Sequence, residues 1–178
     1  MKDNLTTKYA GKWLTLMERS VGKTNWEFVK RNGTRNAVIA IGVTEDSEVV
    51  LIKQHRYTFN KTIIEFPAGL IDDGESIGET ALRELEEETG CSGKLISVSP
   101  LIASSSGLST EGLYIAEILI TNTEGEQRLD DIEKIDWELY KLDDTLLDRL
   151  EKEAKENDYI ISSRLYAYLM GMRNKLTK

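Results

Sequence analysis

Four glutamates stand at positions 84, 86, 87 and 88, directly behind Arg83 and just before Gly90. Carboxylates one helical turn apart repel each other, so Glu84, Glu87 and Glu88 together destabilise any helix that carries them. A hard divalent cation, which takes oxygen ligands, is the simplest partner that would offset the repulsion. Carboxylate-held cations can neutralise the oxygens of a bound anion and lower the pKa of a bound water. The chemistry such a cluster could support is therefore metal-assisted hydrolysis.

These side chains need a helix in a defined rotation. Ser76-Ile-Gly-Glu79 has the spacing of a capping box, which predicts a helix starting near Ile77, and Gly90 is placed to end it. At about 100° per residue, Ile77, Ala81, Leu82 and Leu85 share an apolar face. Glu84 and Glu88 then fall one turn apart at a border of that face, where the helix meets the body of the protein. Glu87 lies further round on the same side, and Glu79 and Glu86 point to water. Arg83 precedes Glu87 by four residues and can pair with it.

The full pattern is Gly69, Glu75, Arg83-Glu84-Leu85, Glu87-Glu88 and Gly90-Cys91. It resembles the Nudix box at every charged and glycine position. It departs only at Cys91, a small hydrophobe where a branched aliphatic is usual. The resemblance implies an α/β fold, the Nudix α/β/α sandwich with a mixed sheet. It also implies catalytic roles for Arg83, Glu84, Glu87 and Glu88, and Mg²⁺ as cofactor with Mn²⁺ as a substitute. Glu84 and Glu88 would hold the metal with the backbone carbonyl of Ala68, and Glu87 would support the cluster or bind a further ion.

IEFPAGLIDDGE followed by ALRELEEETG is similar to the branch of the family that cleaves ADP-ribose and other nucleoside diphosphate sugars. KQHRY at 53–57 is similar to that branch's strand-end Lys-Gln-x-Arg, which implies that Arg56 holds a substrate phosphate, as a guanidinium can bind two oxygens at once. GKWLTLMER and TNWEFVKR resemble segments whose two tryptophans clamp the base at a dimer interface, one from each subunit. Trp13 and Trp26 would then stack the base, with Glu27 and Arg31 beside it. The branch carries Ser-Pro-Gly-hydrophobic-Ser in a substrate loop. Here the loop is Ser105-Ser106-Gly107-Leu108-Ser109, with Gly107 and Leu108 in the matching places and no proline. That difference leaves the sugar open, with GDP-mannose beside ADP-ribose. The resemblance further implies a base on a loop after the box, with Asp131 and Glu133 as candidates and Asp130 behind them. Two other readings stand beside this one. One is a Nudix enzyme for dinucleoside polyphosphates or oxidised nucleotides; the other is a Nudix module that senses a nucleotide without cleaving it.

The rest of the chain is consistent with such an enzyme. Its 178 residues, 40% of them hydrophobic, suit one domain with a small appendage: an N-terminal β-hairpin dimerisation extension over 1–35 and a Nudix domain over 36–178. The single cysteine excludes an internal disulfide framework and the single histidine argues against His-based chemistry. A net charge of −8 argues against nucleic-acid partners; it also requires cations near any site for an anionic substrate. The N-terminus has no apolar signal core and no apolar run spans a membrane, so a cytoplasmic protein is expected. Strands are expected at 12–19, 24–31, 36–43, 48–55, 62–66, 93–101, 112–120 and 132–142. Helices are expected at 144–156 and 160–174, and Trp137 is expected in the core. The run of strands, helix, strands and helices predicts a mixed sheet between helical layers.

Overall fold

The computed structural model describes residues 4–33 and 36–176, with side chains to residue 173. Strands β4 (Ala37–Thr44) and β5 (Glu48–Arg56) lie in the middle of a nine-stranded mixed sheet. Around them are β6 (Lys61–Glu65), β7 (Ala68–Leu70), β8 (Ser92–Val98), β9 (Ile102–Ala103), β10 (Gly112–Asn122), β11 (Ile135–Lys141) and β12 (Ile160–Ile161). The central order is β12-β6-β5-β4-β10-β8, with β11 added to β5, β7 to β4 and β9 to β10. The β4–β10 and β6–β12 pairings are parallel and the others antiparallel.

Near-continuous Val/Ile runs are what a strand covered on both faces requires, and β4 shows the reason residue by residue. Val38 and Ala40 pack with Ala81, Leu85 and Cys91 on the side of helix α1 (Ile77–Thr89). Ile39 and Ile41 pack on the opposite side with Leu146, Leu150, Leu165 and Leu169. Those four leucines belong to helices α2 (Leu146–Asn157) and α3 (Ser163–Leu176). The expected sandwich is the observed one.

The expected capping box is present with both bonds: Glu79 N–H donates to Ser76 Oγ and Ser76 N–H to the Glu79 carboxylate. Gly90 ends α1 at φ 74, a backbone region that costs a side chain 1–2 kcal/mol or so. A Cβ there would also collide with the Gly125 carbonyl.

Several boundaries differ from expectation. The N-terminal extension is a three-stranded antiparallel sheet, not a two-stranded hairpin, because β1 (Leu5–Ala10) pairs with β2 (Leu14–Val21), which pairs with β3 (Thr24–Arg31). The polar run LTTKYA lacked the apolar alternation that marks a strand. Strand β8 stops at Val98, short of the expected Leu101, and β11 starts only at Ile135. The segment before β11 closes instead into a turn, with Glu133 N–H donating to the Asp130 carbonyl at 2.9 Å. Helix α3 starts at Ser163, because Ile160 and Ile161 pair with β6 first. Trp137 is half-buried and packs against the α1-side cluster from its edge.

Gly90→Ala should therefore lower unfolding stability by about 2 kcal/mol, read from the urea midpoint. An unchanged midpoint would show that α1 does not depend on this close approach.

Candidate functional site

Strand β7 and helix α1 build the site between them. Ala40 N–H donates to the Pro67 carbonyl and Ile71 N–H to the Asn36 carbonyl. In an antiparallel ladder alternate residues turn their N–H and C=O away from the partner strand. Ala68 is such a residue against β4, and its N–H points to α1, where it donates to Glu88 Oε2 at 3.0 Å. Its carbonyl leaves the strand on the same side. Gly69 follows because the Glu84 carboxylate occupies the space where a Cβ would lie.

Glu88 is 4% exposed. Burial pushes its carboxyl up to about 8, against the opposing pull of the Ala68 N–H, and the nearby Glu84 charge pushes the same way. Burial also raises Glu84, with Arg83 opposing it. Arg83 is the hub of the cluster. It grips Glu75 with Nε and Nη2 at 2.9 and 3.0 Å, and its Nη1 reaches Glu84 Oε1 and Glu87 Oε2, both at 2.9 Å. The Glu87 pair was expected from the i,i+4 spacing. The bidentate Glu75 pair was not, because it crosses the helix start. This grip and the Thr80 hydroxyl hold Glu75 down at about 2.

A cavity of about 560 Å³ opens over the cluster. Of the residues expected from the sequence, Arg31, Arg56, Ala68, Arg83, Glu84, Glu87, Glu88 and Glu133 line it. Asp130 lines it too, whereas Asp131 is exposed outside it. Glu133 is close enough to raise both Glu84 and Glu88 electrostatically. Its loop is strapped to the end of α1. Arg128 N–H donates to the Glu87 carbonyl at 2.8 Å and Gln127 Nε2 to the Glu88 carbonyl at 2.6 Å.

Trp13, Trp26, Glu27, Gly107 and Leu108 are not in the cavity wall. They lie on or against the N-terminal sheet. Trp26 Nε1 donates to the Gly107 carbonyl at 3.2 Å. Val29 N–H bonds Leu108 O, and Thr110 N–H bonds Val29 O. The loop without proline is thus held by backbone bonds to β3. The two tryptophans are 68% and 55% exposed. Trp26 sits opposite Arg19, whereas the Trp13 carbonyl accepts from Asn32 N–H at the other end of β3. Six residues of strand separate these ends by roughly 20 Å, so the two tryptophans stand at opposite ends of β3.

Sequence reasoning missed Gln54, Glu65, Glu111, Arg128 and Arg164 in the cavity wall. Gln54 stands two residues before Arg56, on the same face of β5, so strand alternation could have found it. Among the described residues its Oε1 is a buried polar atom with no partner. Glu65 and Glu111 hold Arg56 and Arg31, each at 2.7 Å, and those pairs, like Arg164, are set only by tertiary contact.

The donor set fits a hard divalent cation. Eight carboxylates and five arginines line the cavity, so it is net negative, and a diphosphate would be repelled without added positive charge. No three acidic, histidine or cysteine side chains among the described residues converge as a ready cage, because Glu84 and Glu87 both turn to Arg83.

The NUDIX domain model matches residues 33–162. This chain belongs to the Nudix family. An ADP-sugar pyrophosphatase of Mus musculus is 32% identical over 94% of this chain and 85% of its own length. The ADP-ribose pyrophosphatase of Bacillus subtilis is 33% identical over 78% of this chain and 76% of its own. A crystal structure of an ADP compounds hydrolase aligns with TM-score 0.72 and 20% identity, covering 98% of this chain and 92% of that one, which shows the shared Nudix fold. No described helix is long and apolar enough to cross a membrane.

The raised Glu88 gives a pH test. Its folded pKa of about 8 exceeds its unfolded value near 4.5, so the folded protein binds the proton more tightly. That contribution is present below about pH 4.5 and is lost as pH rises to 8. The melting temperature of metal-free protein should fall between pH 5 and 8 more steeply than that of Glu88→Gln. A divalent cation should restore it at pH 8 in the wild type alone. Parallel curves for the two proteins would reject the buried-carboxylate assignment.

Proposed function

We propose that the chain is a Mg²⁺-dependent hydrolase of nucleoside diphosphate sugars, with ADP-ribose as the preferred substrate and AMP and ribose 5-phosphate as products. The observation that carries this reading is the net-negative cavity in which buried Glu88 and half-buried Glu84 stand beside arginines suited to phosphate. The Nudix relatives named for ADP-ribose and ADP-sugars support it.

Glu84, Glu88 and the Ala68 carbonyl would hold the ions, with Glu87 supporting them; Mn²⁺ would substitute. Bound there, the metal supplies charge for the diphosphate oxygens and lowers the pKa of a water. Arg83 keeps the carboxylates in place. Arg56 and Arg31 face the substrate's phosphates and base. Glu133, which lines the cavity where Asp131 does not, takes the proton of the attacking water. The water oxygen bonds to one phosphorus, the P–O–P bond breaks, and the other phosphate leaves as a monoester. Ser106, in place of the proline of the substrate loop, leaves the terminal sugar open, with GDP-mannose as the alternative substrate.

Trp13 and Trp26 would close on the base from two subunits of a homodimer, a reading supported by their separation within one chain. Residues 1–35 form the dimerisation extension and 36–178 the catalytic domain. The setting is cytoplasmic.

A panel of ADP-ribose, GDP-mannose and nucleoside triphosphates should show Mg²⁺-dependent, EDTA-sensitive cleavage of the diphosphate sugars. Glu88→Gln should lower turnover by roughly 10³-fold, the equivalent of several kcal/mol of charge stabilisation. Activity on triphosphates alone would redirect the assignment to another Nudix substrate, and binding without cleavage would make the chain a sensor.

Trp13→Ala and Trp26→Ala should each raise KM. Mixed and allowed to exchange subunits, the two variants should regain activity at low substrate, because one of the two sites in a mixed dimer then has both rings. No recovery despite exchange would remove the shared clamp.

A further inference from the structure

The five arginines around the cavity differ in one respect. Arg31 is paired to Glu111, Arg56 to Glu65, Arg128 to Glu86, and Arg83 to three glutamates. Arg164 lines the same wall and has no carboxylate partner among the described residues. Its Nη2 donates instead to the neutral Ser104 hydroxyl at 2.6 Å.

That isolation is unusual in a chain of net charge −8 whose cavity carries eight carboxylates. Its position in the fold makes it more so. Arg164 is the second residue of α3, and the first turn of that helix has no acidic side chain. A cation at a helix N-terminus opposes the helix dipole, so local electrostatics do not favour an arginine there. The rotation of α3 is fixed by Leu165 and Leu169, which are buried in the core, so the next residue back is held at the cavity rim. Ser104 holds the guanidinium without neutralising it. Among the described residues the Gln54 Oε1, in the same cavity lining, is buried without a hydrogen-bond partner. The cavity therefore keeps hydrogen-bonding capacity that the protein itself does not use.

We propose that Arg164 is a further substrate-binding residue, which takes an anionic phosphoryl oxygen of the ligand's diphosphate. This rests on the diphosphate-hydrolase reading above. A guanidinium exchanges a neutral hydroxyl for a charged, two-oxygen partner with gain. Arg56 and Arg31 must share their charge with carboxylates already bound, whereas Arg164 brings a full positive charge. The C-terminal helix thereby becomes part of the substrate site, and Arg164 joins it to the loop that begins at Ser104.

The test compares wild type, Arg164→Gln and Arg164→Lys with Mg²⁺ present, in two arms. One arm measures kcat and KM for ADP-ribose. The other measures binding of inorganic pyrophosphate by titration calorimetry, which needs no turnover. Arg164→Gln should raise KM and weaken pyrophosphate binding by on the order of tenfold each, the scale of one charge-assisted bond, while kcat and the melting temperature stay close to wild type. Arg164→Lys should recover part of both losses, because it restores the charge but not the fork.

If wild type cleaves ADP-ribose and Arg164→Gln matches it in KM and pyrophosphate affinity, the inference is overturned and the functional reading stands. If wild type cleaves no diphosphate sugar but binds pyrophosphate through Arg164, the functional reading falls and the anion site stands. A loss shared by kcat and melting temperature, with no rescue by lysine, would make Arg164 a structural residue and overturn the inference.

Discussion

The site depends on one apposition, the Glu88 carboxylate against the N–H of Ala68. A carboxylate this buried is unstable as an anion unless charge is brought to it, and a single backbone donor does not suffice. The apolar seam of Ala81 and Leu85 against the sheet forces α1 close to β7 and places Glu88 there regardless. Packing thus imposes an electrostatic debt that divalent cations are suited to cancel. The excess of carboxylates over arginines extends the same condition to the whole cavity.

Arg83 answers part of that charge from the cavity wall. By holding Glu75, Glu84 and Glu87 together it keeps three carboxylates within a few ångströms of one cation. The arrangement is local and rigid, since Glu75 is also fixed by the Thr80 hydroxyl at 2.9 Å. Around this hub the exposed ends of α1 are put to use. Its last carbonyls, which have no partner within the helix, accept from Gln127 and Arg128. The segment that carries Glu133 is positioned by helix geometry rather than by its own sequence.

The N-terminal sheet is tied into the cavity by similar means. Backbone bonds from Val29 to the loop at 108–110 and the Arg31–Glu111 pair join β3 to the main sheet. Arg31 consequently reaches the cavity while Trp26, five residues earlier on the same strand, stays exposed. These bonds couple the N-terminal sheet to the loop at 105–110.

What the sequence determined by itself was local. The capping box, the face of α1, the αL glycine at 90 and the two-sided burial of β4 and β5 follow from spacings of one to four residues, because helix and strand periods express themselves at that range. The identity of Glu84, Glu87, Glu88 and Arg83 as one cluster was legible for the same reason, and Arg56, Arg31 and Ala68 were legible through resemblance. Tertiary structure alone decided that Glu75 grips Arg83, that Glu133 rather than Asp131 faces the cavity, that β1 joins the N-terminal sheet, and that Arg164 on the last helix reaches the wall. These contacts cross element boundaries, over separations from eight residues for Glu75 and Arg83 to sixty for Ser104 and Arg164, and the period of a single helix or strand does not encode them.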